Sequence, residues 1–137
     1  MASDAEKFAR LKKLLKESRQ RLAQAENATV VVQERIRKLQ KKSVAADATF
    51  RELDDQLEEL MREGTTLDRL DMKDSEAFQK LKRQAVKKRK QEDDALNERD
   101  RLQGEAKTLE RTELKKAFDN QDKAQAAVDR VLELLSR

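Results

Sequence analysis

Residues Phe8 to Leu60 read FARLKKLLKESRQRLAQAENATVVVQERIRKLQKKSVAADATFRELDDQLEEL, and this stretch decides the fold. Taken every seventh residue, Phe8, Leu15, Leu22, Thr29, Ile36, Ser43, Phe50 and Leu57 form one series. Leu11, Ser18, Ala25, Val32, Leu39, Ala46, Leu53 and Leu60 form a second, three residues behind it. These are the a and d positions of a heptad repeat, the pattern of a helix that buries a narrow stripe against a partner helix. Only Ser18, Thr29 and Ser43 are polar, and all three are small. A disordered chain has no reason to hold such a phase.

Working outward, Ser3 followed by Glu6 fits a capping box and starts the helix. At the other end stands Glu63-Gly64-Thr65-Thr66, and Gly64 suits a helix C-terminus, where a left-handed residue is easily tolerated. Asp74-Ser75-Glu76 then gives a second start signal ahead of Ala77 and Phe78. The expected organisation is one coiled-coil domain over 1–137, with helix one over 4–63, a bend over 64–74 and helix two over 75–136. A single uninterrupted rod is the rival, because a lone glycine costs only about 1 kcal/mol inside a helix and no proline enforces a break.

Helix two carries a poorer seam. Phe78, Leu81 and Ala85 open it, then Lys88, Glu92 and Arg99 fall on seam positions with Ala95 between them. Leu102, Ala106 and Leu109 restore it. Near Leu114 the phase slips by one residue, and Leu114, Ala117, Ala124, Val128, Val131 and Leu135 continue. Gly104 should weaken this helix locally. Folding the helices together by pairing Leu57 with Leu81 and Leu53 with Ala85 places Asp54 by Lys82, Asp47 by Arg89, Lys42 by Glu98 and Arg35 by Glu105. All four flanking pairs are opposite in sign, which selects an antiparallel partner more than it stabilises one. The expected fold class is therefore all-α, a long antiparallel two-helix coiled-coil hairpin with arms near 90 Å at 1.5 Å per residue. An intermolecular antiparallel dimer of straight rods, a homodimer, satisfies much of the same pattern.

Composition excludes more than it assigns. Charged residues make up 44% of the 137 and aromatics 3%, with no Pro, Cys, Trp, Tyr or His. The commonest metal ligand and general base is missing, as is any thiol. Paired carboxylates such as Asp54-Asp55, Glu58-Glu59 and Asp93-Asp94 lie on solvated faces of a rod with no dry pocket to tune them. No catalytic residue, metal site, cofactor or small-molecule substrate is expected. The net charge of +4 is mild. No apolar run nears the roughly 20 residues of a membrane span, so no membrane insertion is expected and the cytoplasm is the default location.

Two features stand out as candidate contacts. Leu67, Leu70 and Met72 lie in the bend, as a docking patch or as caps on the last seam layer. Lys80, Lys82, Arg83, Lys87, Lys88, Arg89 and Lys90 put seven positive charges into eleven residues. They could contact phosphates, but no aromatic is interleaved for base stacking, and the acidic stretch Glu52 to Glu59 is expected to neutralise them within the hairpin. Lys88, Glu92 and Arg99 either specify register or mark a weak spot that takes up a third helix.

Phe50-Arg51-Glu52-Leu53 through Leu57, then Asp74, then Leu81-Lys82-Arg83-Gln84 resembles the YdcH-like small bacterial hairpins over about forty residues. The whole chain, as two charged helices of matched length almost without aromatics, resembles the FliJ/YscO-type stalk proteins of bacterial type III export. That second resemblance implies docking to an export ATPase and to secretion chaperones. The expectation is an interaction protein, a rigid hairpin that docks into or links a larger assembly. The alternative is a nucleic-acid-associated coiled coil using the basic face at 80–90.

Overall fold

A computed structural model describes residues 3–137. The fold is all-α, a two-helix hairpin without strands among the described residues. Helix α1 spans Asp4–Arg69 and α2 spans Glu76–Leu109. A π-helical turn at Glu110–Leu114 then leads into α3, Lys115–Ser136. The chain divides into two compact units. One holds Lys38–Glu105, and the other holds residues up to Arg37 together with Ala106–Arg137.

α1 starts as its sequence requires. The Glu6 N–H donates to Ser3 Oγ at 3.1 Å, which satisfies one of the free donors of the first turn. α2 repeats the device: the Phe78 N–H donates to Ser75 Oγ at 3.2 Å, and the Ser75 hydroxyl donates to the Met72 carbonyl at 2.5 Å.

In the unit Lys38–Glu105, α1 does not stop at Gly64. It runs on to Arg69, and the turn occupies Leu70 to Ser75. The left-handed residue is Asp71, with φ 55°, and neither glycine has positive φ. Around Asp71 the Met72 N–H reaches the Leu67 carbonyl at 2.8 Å and the Asp71 N–H reaches that of Asp68 at 3.1 Å. This pair of bonds is the Schellman motif, which closes the last carbonyls of the helix. The expected boundary at residue 63 is therefore corrected by six residues. Two backbone bonds outweigh the modest cost of keeping a glycine helical and holding an aspartate in αL.

Moving the turn moves the register. Asp47 pairs with Arg99, not Arg89, at 2.8 Å. In the other unit Arg35 pairs with Glu113, not Glu105, at 2.6 Å. Shifting the turn centre by about four residues shifts each antiparallel partner by about twice that. The expected partners of Asp47, Arg35 and Asp54 are thus overturned, while Lys42 still acts on Glu98 and the direction of the helices stands.

The heptad side chains lie where their spacing puts them. In the unit containing the chain ends, Ser18, Thr29, Val32 and Ile36 of α1 are buried, as are Ala106, Ala117, Val128 and Val131 opposite. In the other unit Ser43 and Leu102 are buried, and Phe50, Leu53, Leu57, Leu81, Ala85 and Ala95 are half-buried. The one-residue slip near Leu114 is the π turn. Seam residues on this arm step by three and four except from Leu109 to Leu114, a step of five that coincides with Glu110–Leu114. A π turn absorbs one extra residue and returns Leu114 and Ala117 to the seam.

Gly64 sits inside α1 with ordinary helical φ, and a Cβ there would meet nothing within 4 Å. Gly64→Ala should therefore stabilise the protein by about 0.5–1 kcal/mol in denaturant unfolding. A loss of stability would show that Gly64 acts as a cap after all.

Candidate interaction surfaces

The three charged seam residues read from the sequence belong to the unit Lys38–Glu105, and they are accommodated differently. Arg99 leaves the seam sideways. Its side chain is 26% exposed, its guanidinium lies 5.8 Å from the centre of the Phe50 ring, and it donates to Asp47 Oδ1 at 2.8 Å. It also reaches Asp100 Oδ1 at 3.2 Å, and Arg51 meets Asp47 at 3.0 Å. The Arg99 hydrogen bond holds the Asp47 carboxyl below its ordinary value, and Arg51 adds to it. Lys88 is half-buried and lines an open furrow.

Glu92 has no such outlet. Its Oε2 is buried without a hydrogen-bond partner, as is Oε1 of Gln56. Burial, and then the facing Asp54 carboxylate, push the Glu92 carboxyl above its ordinary value; Asp93 adds to this and Arg89 opposes it. Folding therefore favours the protonated form. The stabilisation is fully present below the unfolded carboxyl range and is lost as pH rises through the raised folded value. Stability should thus fall as the pH is taken upward from about 4.5. Glu92→Gln should remove that fall and raise the melting temperature at neutral pH. A pH profile unchanged by the substitution would refute this account.

The sequence-assigned contact residues separate into three groups. Leu70 is 63% and Met72 40% exposed in the turn. Leu67 is half-buried on the last turn of α1. The seven basic residues all lie on α2, and none makes an ion pair among the described residues. The expectation that Glu52 to Glu59 neutralises them is corrected. Asp54, within that stretch, faces Glu92 instead, while Glu59 shares a hollow with Lys87 and Lys88 without forming an ion pair.

A furrow between α1 and α2 was not legible in the sequence. Near the turn it forms a hollow of about 480 Å³ floored by Leu67, Ala77 and Leu81, with Lys80 on its rim. A second hollow of about 560 Å³ continues it along Leu60, with Glu59 on one wall and Lys87 and Lys88 on the other. Glu63 and Gln84 line both hollows, so the two are one furrow. Lys82 and Arg83 lie outside it, around a smaller hollow with Gln79 and Val86. Only the true register could have disclosed the furrow, because it depends on which α1 residues stand opposite Lys80 to Lys88.

Among the described residues no group of His, Cys, Asp or Glu could hold a metal ion, and no helix is long and apolar enough to cross a membrane. The chain matches no family model, no curated protein and no solved structure.

Proposed function

We propose that this chain is an interaction protein, a helical hairpin that docks into or links a larger assembly through its turn end and catalyses no reaction itself. The observation that carries the reading is the turn end. Leu70 and Met72 project beside a furrow with an apolar floor, on a backbone held by the Schellman bonds and the Ser75 cap. Exposed apolar side chains on a well-ordered frame are what a protein partner buries, because little ordering remains to oppose association. The resemblance to FliJ/YscO-type stalks makes the finer version a cytoplasmic component of type III export, with an export ATPase or a secretion chaperone as partner. Association with a second copy is the competing use of the same surface.

A photo-crosslinking residue at position 70 in cells producing the protein tests this. The expected result is one discrete heterologous adduct that is lost on Met72→Glu, while a crosslinker at Val44, remote in sequence from the turn, gives none. An ATPase or chaperone in the adduct supports the finer version. No adduct from position 70 overturns the docking role.

A second reading is favoured by one observation, the seven basic side chains of α2 without ion-pair partners. Such a face binds phosphate backbones in a salt-dependent way. If it does so here, mobility shift of generic duplex DNA should persist at about 150 mM salt and weaken when Lys87 and Lys90 are changed to Glu. Retention only at very low salt would exclude it.

A further inference from the structure

The furrow of the unit Lys38–Glu105 has a shape and a charge pattern that together specify an occupant. It runs along α2 from Ala77 to Gln91, about 21 Å or four helical turns at 1.5 Å per residue. Toward the turn its lining is apolar, with Leu67, Leu81 and the exposed Ala77; farther along, Leu60 is the one apolar lining residue, among Gln56, Gln84 and Gln91. The walls differ in sign. Lys80, Lys87 and Lys88 stand on the α2 side, and Glu59 and Glu63 on the α1 side. None of these five side chains makes an ion pair among the described residues.

We infer that this furrow takes a third α-helix, an amphipathic segment of a partner protein about four turns long, with carboxylates along the edge that meets α2. The inference rests on the docking role proposed above and names the partner's chemistry. A long trough between two helices matches the ridge of a third helix, with apolar anchors spaced three and four residues apart. Leu67, Ala77 and Leu81 supply the matching floor, and the small Ala77 leaves room for a large side chain. Three cations against two carboxylates set the polarity of the bound helix. Duplex nucleic acid fits less well, because Glu59 and Glu63 line the same trough and repel phosphate. A small molecule fits less well also, since a trough open along its length encloses too little of one.

The test uses the full-length protein and synthetic 18-residue helices with leucine at heptad a and d positions. One peptide carries glutamates along one polar edge and glutamines along the other; the second carries lysines in place of the glutamates. Binding is read by fluorescence anisotropy. The glutamate-edged peptide should bind, and Lys80→Glu combined with Lys87→Glu should weaken it about tenfold or more while strengthening the lysine-edged peptide. Ala77→Phe, which fills the floor without touching charge, should weaken both peptides. Lys82→Glu combined with Arg83→Glu lies outside the furrow and should change affinity by less than about twofold. Equal losses from both charge reversals would overturn the inference, because attraction would then be diffuse. So would unchanged binding in Ala77→Phe, displacement of the peptide by stoichiometric duplex DNA, or self-association of the free protein that the same substitutions abolish. An adduct from position 70 with no peptide binding would overturn the furrow assignment and leave the docking role standing.

Discussion

What the structure depends on is the phase of a thin apolar stripe. Among the described residues no side chain is fully buried, and the most buried positions include three small polar residues, Ser18, Thr29 and Ser43. A seam this narrow removes far less surface per residue than a globular core, where a fully buried Leu or Ile contributes about 1.5–3 kcal/mol. Its stability must come from many modest contacts that all face the same way. One residue of slip would turn every later seam residue away from the partner helix. The π turn at Glu110–Leu114 shows how the chain meets that constraint. It takes up the extra residue between Leu109 and Leu114 locally, so that Ala117, Val128 and Val131 are again buried. Beyond the turn, Gln121 occupies a seam position and the Thr29 hydroxyl lies 3.0 Å from its Oε1. That hydroxyl also lies 3.1 Å from the Ala25 carbonyl, and its single proton serves one acceptor at a time.

The polar seam positions show how far such a stripe tolerates charge. Arg99 is long enough to leave the seam, cross the Phe50 ring and reach Asp47, so its charge is solvated by carboxylates and water together. Glu92 is shorter, and the register gives it Asp54, a carboxylate, as its neighbour across the seam. The same position in the heptad is therefore benign for one residue and strained for the other. Side-chain reach and the sign of the facing residue decide the outcome, not polarity as such.

The heptad, the start signals at Ser3 and at Asp74-Ser75-Glu76, and the phase slip could be read from residue spacing alone; the antiparallel direction needed the flanking charges as well. The turn and the register could not. Gly64 looked like a helix end because glycine is the commonest αL residue, yet Asp71 takes that conformation once the Schellman bonds to Leu67 and Asp68 form. Aspartate is one of the few non-glycine residues that tolerate αL, but in a chain so rich in aspartate its presence at 71 is a far weaker signal than a glycine. The charge ladder could not correct the error. In a chain so rich in Lys, Arg, Asp and Glu, several registers offer pairs of opposite sign, and each exposed pair contributes only about 0–1 kcal/mol. Burial of the seam and the turn geometry outweigh them. The candidate residues Leu67, Lys80, Lys87 and Lys88 were legible one by one, but the furrow that gathers them was not, because it exists only in the observed register.

That same weakness of surface charge explains why the molecule has unmatched charge left to offer. Had the ladder set the register, the basic run of α2 would face the acidic stretch of α1 and the flanks would be neutral. Instead acid meets acid at Asp54 and Glu92, and Lys80, Lys87 and Lys88 stand along an open furrow without carboxylate partners. Leaving three cations solvated costs the free protein little, since water screens them well. Once a partner helix covers the furrow and excludes that water, each interaction strengthens, and a wrong sign becomes costly. A register that is indifferent to charge in the free hairpin is in this way selective about charge when something docks.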